Sequence, residues 1–201
     1  IAAVVSIAHS LGLKVAAHAY PPAAIEAAVR AKVDSIEHGS FATTESFALM
    51  KANGTFLVPT LTVYDVFYTV ARDHPELLRP GTAEKEMAND LLPKRNFPAA
   101  LKSGVRIVYG TDLGQGDHAT EFRLFIEGGM APMDAILAAT RNAAELLDAT
   151  SDVGSIQAGR YADVVAVKGN PLLTTSLLGQ VSFVMKGGKV FRENGSPKVA
   201  Q

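Results

Sequence analysis

Three short segments of the chain each run an apolar stretch into a side chain able to bind a metal ion. They are Lys14-Val15-Ala16-Ala17-His18, Ser35-Ile36-Glu37-His38-Gly39 and Arg106-Ile107-Val108-Tyr109-Gly110-Thr111-Asp112. Each reads as a β-strand delivering one ligand at its C-terminal end. In a parallel α/β barrel, active sites are assembled at those ends from residues of several strands. Two neutral imidazoles and one carboxylate match the protein ligands of a catalytic zinc, which leaves a position for water. Water held there loses a proton near neutral pH and becomes the nucleophile of a hydrolysis. His18, His38 and Asp112 are therefore the candidate metal ligands. Asp112 is also the candidate catalytic residue, taking the proton from that water and passing it to a leaving amine.

Other side chains stand close enough in sequence to serve the same mouth. Tyr20 follows His18 by two residues and either donates a hydrogen bond to substrate or packs under a loop. His118, in the Gly114-Gln115-Gly116-Asp117-His118 loop, is either a substrate contact or a solvated loop histidine. Tyr64 suits an apolar substrate wall and equally suits lid packing. Asp117 and Glu121 read as solvated or capping residues, His9 and His74 as non-catalytic, and Asp163 as a turn residue.

The elements that must position these residues follow from periodicity and punctuation. Residues 1–11 read as a helix stopped by Gly12, and Pro21-Pro22 opens another that runs through Arg30. A third spans Thr44 to Ala52, with Thr44 as N-cap and Asn53-Gly54 as stop. Thr55–Pro59 reads as a further strand, followed by an irregular stretch, Thr60 to Thr82, long enough to be a lid or binding loop. Residues 83–103 read as a helix interrupted around Pro93 and Pro98, then comes strand Val105–Tyr109. Ala119–Glu127 and Pro132–Leu147 read as helices. Strands alternating with helices predict a parallel sheet, half of a barrel or of a doubly wound fold. After Thr150 the texture changes to short β-runs, with Lys186-Gly187-Gly188-Lys189 as a hairpin turn. The boundaries predicted are 1–150 for the α/β part and 151–201 for a small β-domain.

Composition narrows the partners. With 19 basic and 20 acidic residues the net charge is −1, and no long basic run is present. Nucleic acid and anionic membrane surfaces are poor partners for such a chain. The absence of cysteine excludes disulfides and thiolate metal sites. No apolar stretch reaches membrane-span length. The compartment is open between cytoplasm and periplasm.

Taken together, these residues resemble the metal-dependent amidohydrolase superfamily. Val15-Ala16-Ala17-His18-Ala19-Tyr20 is similar to its fifth-strand histidine segment, Asp34-Ser35-Ile36-Glu37-His38-Gly39 to its sixth, and Tyr109-Gly110-Thr111-Asp112 to its eighth. The tail resembles it as well, in Ala139-Thr140-Arg141-Asn142-Ala143-Ala144-Glu145-Leu146-Leu147 and in Gly154 through Val165. Within the superfamily, His-Ala-Tyr followed by proline looks most like the imidazolonepropionase-related, Xaa-Pro dipeptidase-like branch. The resemblance implies the C-terminal half of a TIM-type (β/α)8 barrel, strands 5 to 8, followed by part of a small β-sandwich domain. It also implies a binuclear metal centre, zinc favoured. His18 and His38 would hold one metal, and Asp112 the other with a first-strand His-x-His pair. That pair and the fourth-strand lysine, often carboxylated, have no counterpart here, so a complementing N-terminal half is expected.

Three functions follow from this reading. The first is hydrolysis of an amide bond in a dipeptide or N-acyl amino acid. The second is hydrolysis of a cyclic amide of the imidazolonepropionase type. The third is a catalytically incomplete fragment that self-associates through its open sheet edges, as a homo-oligomer, or needs its other half.

Overall fold

The computed structural model of the chain describes residues 1–89 and 91–198. Position 90, inside the helix predicted over 83–103, and positions 199–201 of the predicted β-domain lie outside the described residues. Helix α1 (Ala2–Ser10) leads to strand β1 (Ala16–Ala19), helix α2 (Pro22–Arg30), strand β2 (Ser35–His38), helix α3 (Thr44–Asn53) and strand β3 (Phe56–Val58). Proline starts α2 because its fixed φ suits a first turn that needs no N–H partner. Helix α3 is capped by Thr43, one residue before the predicted Thr44. Its extended backbone (φ −96, ψ 173) lets the hydroxyl accept from the Ser46 N–H. Gly54, at φ 72, closes that helix in the left-handed conformation.

The three strands pair in parallel in the order β1-β2-β3, with His18 opposite Glu37, Ala19 opposite His38 and Ser35 opposite Phe56. A fourth segment lies along β3. The Leu57 N–H donates to the Arg106 carbonyl at 2.8 Å and the Val108 N–H to the Leu57 carbonyl at 2.9 Å. Pairing there stops at a single bridge, Leu57 to Ile107, shorter than the strand predicted over Val105–Tyr109. The Tyr109 N–H turns instead to the carbonyl of Ala138.

Helices cover one face of this sheet. Ile25, Val29, Ile36, Leu57, Phe97 and Phe125 are buried together there, and Phe97 stacks on Phe125 at 5.0 Å. On the opposite face Phe56, Val58 and Val108 pack under Ala143 and Leu146. Each such side chain contributes about 1.5–3 kcal/mol by leaving water.

The stretch predicted as an irregular lid is helical. Helix α4 (Leu61–Asp73) is followed by a 3-10 turn at Pro75–Leu77 and helix α5 (Thr82–Asn89). Its sequence, rich in β-branched and aromatic residues, has weak intrinsic helix propensity. Burial of Leu61, Val63 and Ala71 decides in favour of helix. Helix α6 (Leu91–Ser103) passes through both prolines rather than breaking at them. Pro93 sits in the first turn, where an N–H has no intrahelical partner. Helix α7 spans Thr120–Glu127. The helix predicted over Pro132–Leu147 is two, α8 (Pro132–Ala139) and α9 (Arg141–Leu146), separated at Thr140 (φ −126, ψ −85).

The C-terminal strands β4 (Val164–Val167), β5 (Val181–Lys186), β6 (Lys189–Glu193) and β7 (Ser196–Pro197) form an antiparallel sheet. Gly187 and Gly188 both take positive φ in the two-residue turn joining β5 to β6, the conformation a tight hairpin requires. Asp163 accepts from the Gly187 N–H at 2.7 Å. This sheet buries little by itself, and Ile156 and Leu173 are more than four-fifths exposed. Among the described residues, no helix is long and apolar enough to cross a membrane.

Among the described residues, one carboxyl group is completely enclosed, that of Glu121 on α7. Burial raises its pKa from the ordinary 4.5 to about 7, against the pull of the donors from Leu61 and Thr62. The folded state therefore holds this proton more tightly than the unfolded chain does. Stability from it is complete below about pH 4.5 and declines as the pH rises through about 7. Urea denaturation across that range should show the wild type losing at most roughly 3 kcal/mol that Glu121→Gln does not lose, since an amide has no proton to release.

Candidate active site

Pairing and backbone conformation together bring the two histidines into contact. Residues opposite one another in a sheet share a face, and successive residues alternate. His38 lies opposite Ala19, which belongs to the helix-side core, whereas His18 lies opposite Glu37. Simple alternation would therefore send the two imidazoles to opposite faces. His38 escapes this by adopting φ 69 at the strand end. Its Nε2 then meets Nδ1 of His18 at 2.9 Å. The other ring nitrogen, Nδ1, is hydrogen-bonded to Oγ1 of Thr60 at 2.7 Å.

Left-handed backbone recurs at the neighbouring strand ends, at Thr60 (φ 49) and Asp112 (φ 54). Such conformations are uncommon for non-glycine residues and genuinely unusual for a β-branched one. They concentrate where surrounding structure holds them for a purpose.

Electrostatics link the same residues. Burial lowers the pKa of His38, as does neighbouring His18, while Asp112 pulls it upward. A neutral imidazole is the form that ligates a metal. Burial raises Glu37 against a 2.6 Å hydrogen bond from the Ser35 hydroxyl; Asp112 raises it further and His18 lowers it.

Two imidazole nitrogens on a tetrahedral zinc stand about 3.3 Å apart, given bond lengths near 2.05 Å. The observed 2.9 Å needs only a small opening, and Thr60 already occupies the outward nitrogen, as outer-shell partners of ligating histidines do. His18 Nδ1 and His38 Nε2 thus fit one side of a metal site. Asp112 does not join them as a third ligand: it is exposed, and among the described residues no three His, Asp or Glu side chains converge as a metal cluster.

Of the predicted substrate contacts, two gather on the histidines. Tyr20 stacks on His38 at 5.1 Å and meets His18 edge-on at 4.6 Å. Tyr64, reaching in from α4, lies edge-on to His38 at 5.9 Å and shares a 2.7 Å hydrogen bond with Ser40. His118 sits beside the Asp112 strand end instead. Its Nδ1 bonds Thr111 Oγ1 at 2.8 Å, and the Tyr109 hydroxyl donates to its carbonyl, pinning the loop between. His9 pairs with Asp34, and His74 with Glu76.

Sequence reasoning passed over Thr60, Glu37 and the buried role of Glu121. For Thr60 a signal existed, since it is a polar residue directly after the apolar run Phe56 to Pro59, close to the strand end. Glu121 carried none, because its partners lie some sixty residues earlier.

Thr60 can be tested by contrasting two replacements. Thr60→Val loses the bond to His38 and keeps a branched side chain on left-handed backbone, whereas Thr60→Gly loses the bond and relieves the backbone. Denaturation should show Thr60→Val less stable than wild type by about 2–4 kcal/mol. Thr60→Gly should be the milder of the two by about 1–2 kcal/mol.

Comparison with known proteins places this geometry in context. The sequence profile of the amidohydrolase family matches residues 1–191. Ochratoxinase of Aspergillus niger is 36% identical over 187 residues, covering 90% of this chain and 38% of that protein. Imidazolonepropionase of Shouchella clausii is 34% identical over 128 residues, 59% of this chain and 28% of that one. A crystal structure of a Xaa-Pro dipeptidase with bound methionine superposes with a TM-score of 0.91 at 36% identity, covering 95% of this chain and 48% of the other. A prolidase complexed with N-methylphosphonate-L-proline gives 0.86 at 30% identity, with 96% and 48% covered. The chain thus spans less than half the length of these relatives. With a family profile that spans residues 1–191 and a relative 36% identical over 90% of its length, the chain belongs to the amidohydrolase family.

Proposed function

We propose that this chain is the C-terminal half of a metal-dependent amidohydrolase. Residues 1–150 would carry barrel strands five to eight, and residues 151–201 the C-terminal part of the small β-domain. The observation that carries the reading is the approach of His18 Nδ1 to His38 Nε2, 2.9 Å apart from the ends of adjacent parallel strands.

The reaction is hydrolysis of a peptide-type amide bond in a dipeptide or N-acyl amino acid. His18 and His38 would hold a divalent metal, zinc favoured by the nitrogen donors. When bound, the ion supplies the Lewis acidity that activates water and polarises the scissile carbonyl. Asp112 takes the proton of the attacking water on its carboxylate and delivers it to the leaving nitrogen. Asp112 would also hold the second metal of a binuclear centre, whose other ligands would come from a preceding half. Tyr20, against both imidazoles, donates to the carbonyl oxygen or to a substrate carboxylate; Tyr64 walls the mouth and His118 borders it.

The Xaa-Pro dipeptidase and prolidase likenesses favour a dipeptide substrate. A cyclic amide is the second reading, supported by the likeness to imidazolonepropionase over a shorter span. A polypeptide joining this chain to the strands that precede it should, with zinc, hydrolyse Xaa-Pro dipeptides. Asp112→Ala and His18→Ala should each lower kcat/KM by about 10²–10⁴. Faster turnover of an imidazolone than of every dipeptide offered would replace the first reading by the second.

By itself the 201-residue chain presents β1 as a sheet edge and an α1 face on which Val4, Ile7 and Leu11 are exposed. Such edges and apolar faces recruit partners. Sedimentation at micromolar concentration should find a dimer or larger species, converted to a one-to-one complex by the preceding half. A lone monomer at all concentrations would count against this.

A further inference from the structure

The residue at the N-cap of α4 does not cap its own helix. Threonine is a favoured N-cap, its side-chain oxygen accepting from the second or third helical N–H. Thr60 occupies that position with φ 49 and ψ 46 and makes no side-chain cap bond. Its hydroxyl is committed to His38 Nδ1. The bare helix start is served from elsewhere, by Glu121 on α7. Oε1 of Glu121 accepts from the Leu61 N–H at 2.9 Å, and Oε2 from the Thr62 N–H at 2.7 Å and the Thr62 hydroxyl at 2.5 Å. This carboxyl is fully buried, so its geometry is not shared with solvent.

We infer that Glu121 is a positioning residue for the histidine pair: by capping α4 in place of Thr60, it frees the Thr60 hydroxyl to orient the His38 ring. The competition behind this is explicit. Without the carboxyl, the unsatisfied N–H of Thr62, at the second helical position, recruits the nearest acceptor, and Thr60 is that acceptor once its backbone relaxes to an ordinary capping conformation. His38 then loses the bond that holds Nε2 toward His18. Glu121 acts only through this relay, since its hydrogen bonds go to α4. Its functional meaning rests on His38 being a metal-site imidazole, whereas the relay itself does not.

The test reads the His38 ring directly. In the 201-residue chain labelled with ¹⁵N-histidine, at a pH of about 8 where imidazole is neutral, long-range proton–nitrogen spectra report which ring nitrogen carries the proton. Wild type should show one tautomer at His38. Glu121→Ala and Thr60→Val should each give a mixture of both, and the double variant no further change. Glu121→Gln, retaining one acceptor oxygen, should fall between wild type and Glu121→Ala and supplies the same reading if the alanine variant fails to fold. Zinc affinity, where zinc binds, should weaken about tenfold in Glu121→Ala. The inference is overturned if the Glu121 variants lose stability while the His38 tautomer stays single. It is equally overturned if Glu121→Ala shifts the ring as much in the Thr60→Val background as alone. Absence of zinc binding with the tautomer relay intact would instead count against the proposed metal function.

Discussion

The parallel pairing of β1 with β2 is the constraint on which the rest depends. Four residues in register set His18 opposite Glu37 and Ala19 opposite His38. A slip by one position would exchange core and mouth along the whole strand. Pairing alone nevertheless places the two histidines on different faces. The contact between them exists because a rigid sheet ends in a backbone that departs from strand geometry, and the core beneath is dense enough to hold that departure. Ile36, immediately behind the departing residues, is completely buried.

Around that point the molecule distributes its polar obligations unusually. A threonine hydroxyl serves a histidine rather than the helix it precedes, and a carboxyl from far along the chain serves the helix. Three elements, β2, α4 and α7, are thereby tied to one another by directional bonds as well as by packing. Directional bonds define orientation to a degree that apolar contacts, which tolerate rotation, do not. This is the physical content of calling the site preorganised: the ring that faces His18 is fixed on its other side.

Much of this was legible in the sequence where the information is local. Apolar runs ending in His18 and His38 marked β1 and β2, Pro22 marked the start of α2, Gly54 the end of α3, and the Gly187-Gly188 pair the hairpin. Illegible parts share a different character. Residues 61–73 have poor helix formers and no cap of their own, so nothing within twenty residues announces α4; its cap arrives with Glu121. The proximity of the histidine rings depends on a positive φ that a histidine rarely adopts. The early end of pairing at Ile107 depends on Tyr109 finding the Ala138 carbonyl. Each is a tertiary solution overriding a local preference, and the family resemblance could carry the histidines forward without revealing how they meet.

The loop that follows Asp112 is tied at both ends to its own strand, by Tyr109 and Thr111 reaching forward to His118. Its middle, Gly114-Gln115-Gly116, is exposed and bears no such tie. The segment is therefore built as an exchangeable cassette. A change of length at its tip leaves untouched the clasp by which Tyr109 and Thr111 hold the two ends of the loop together at His118.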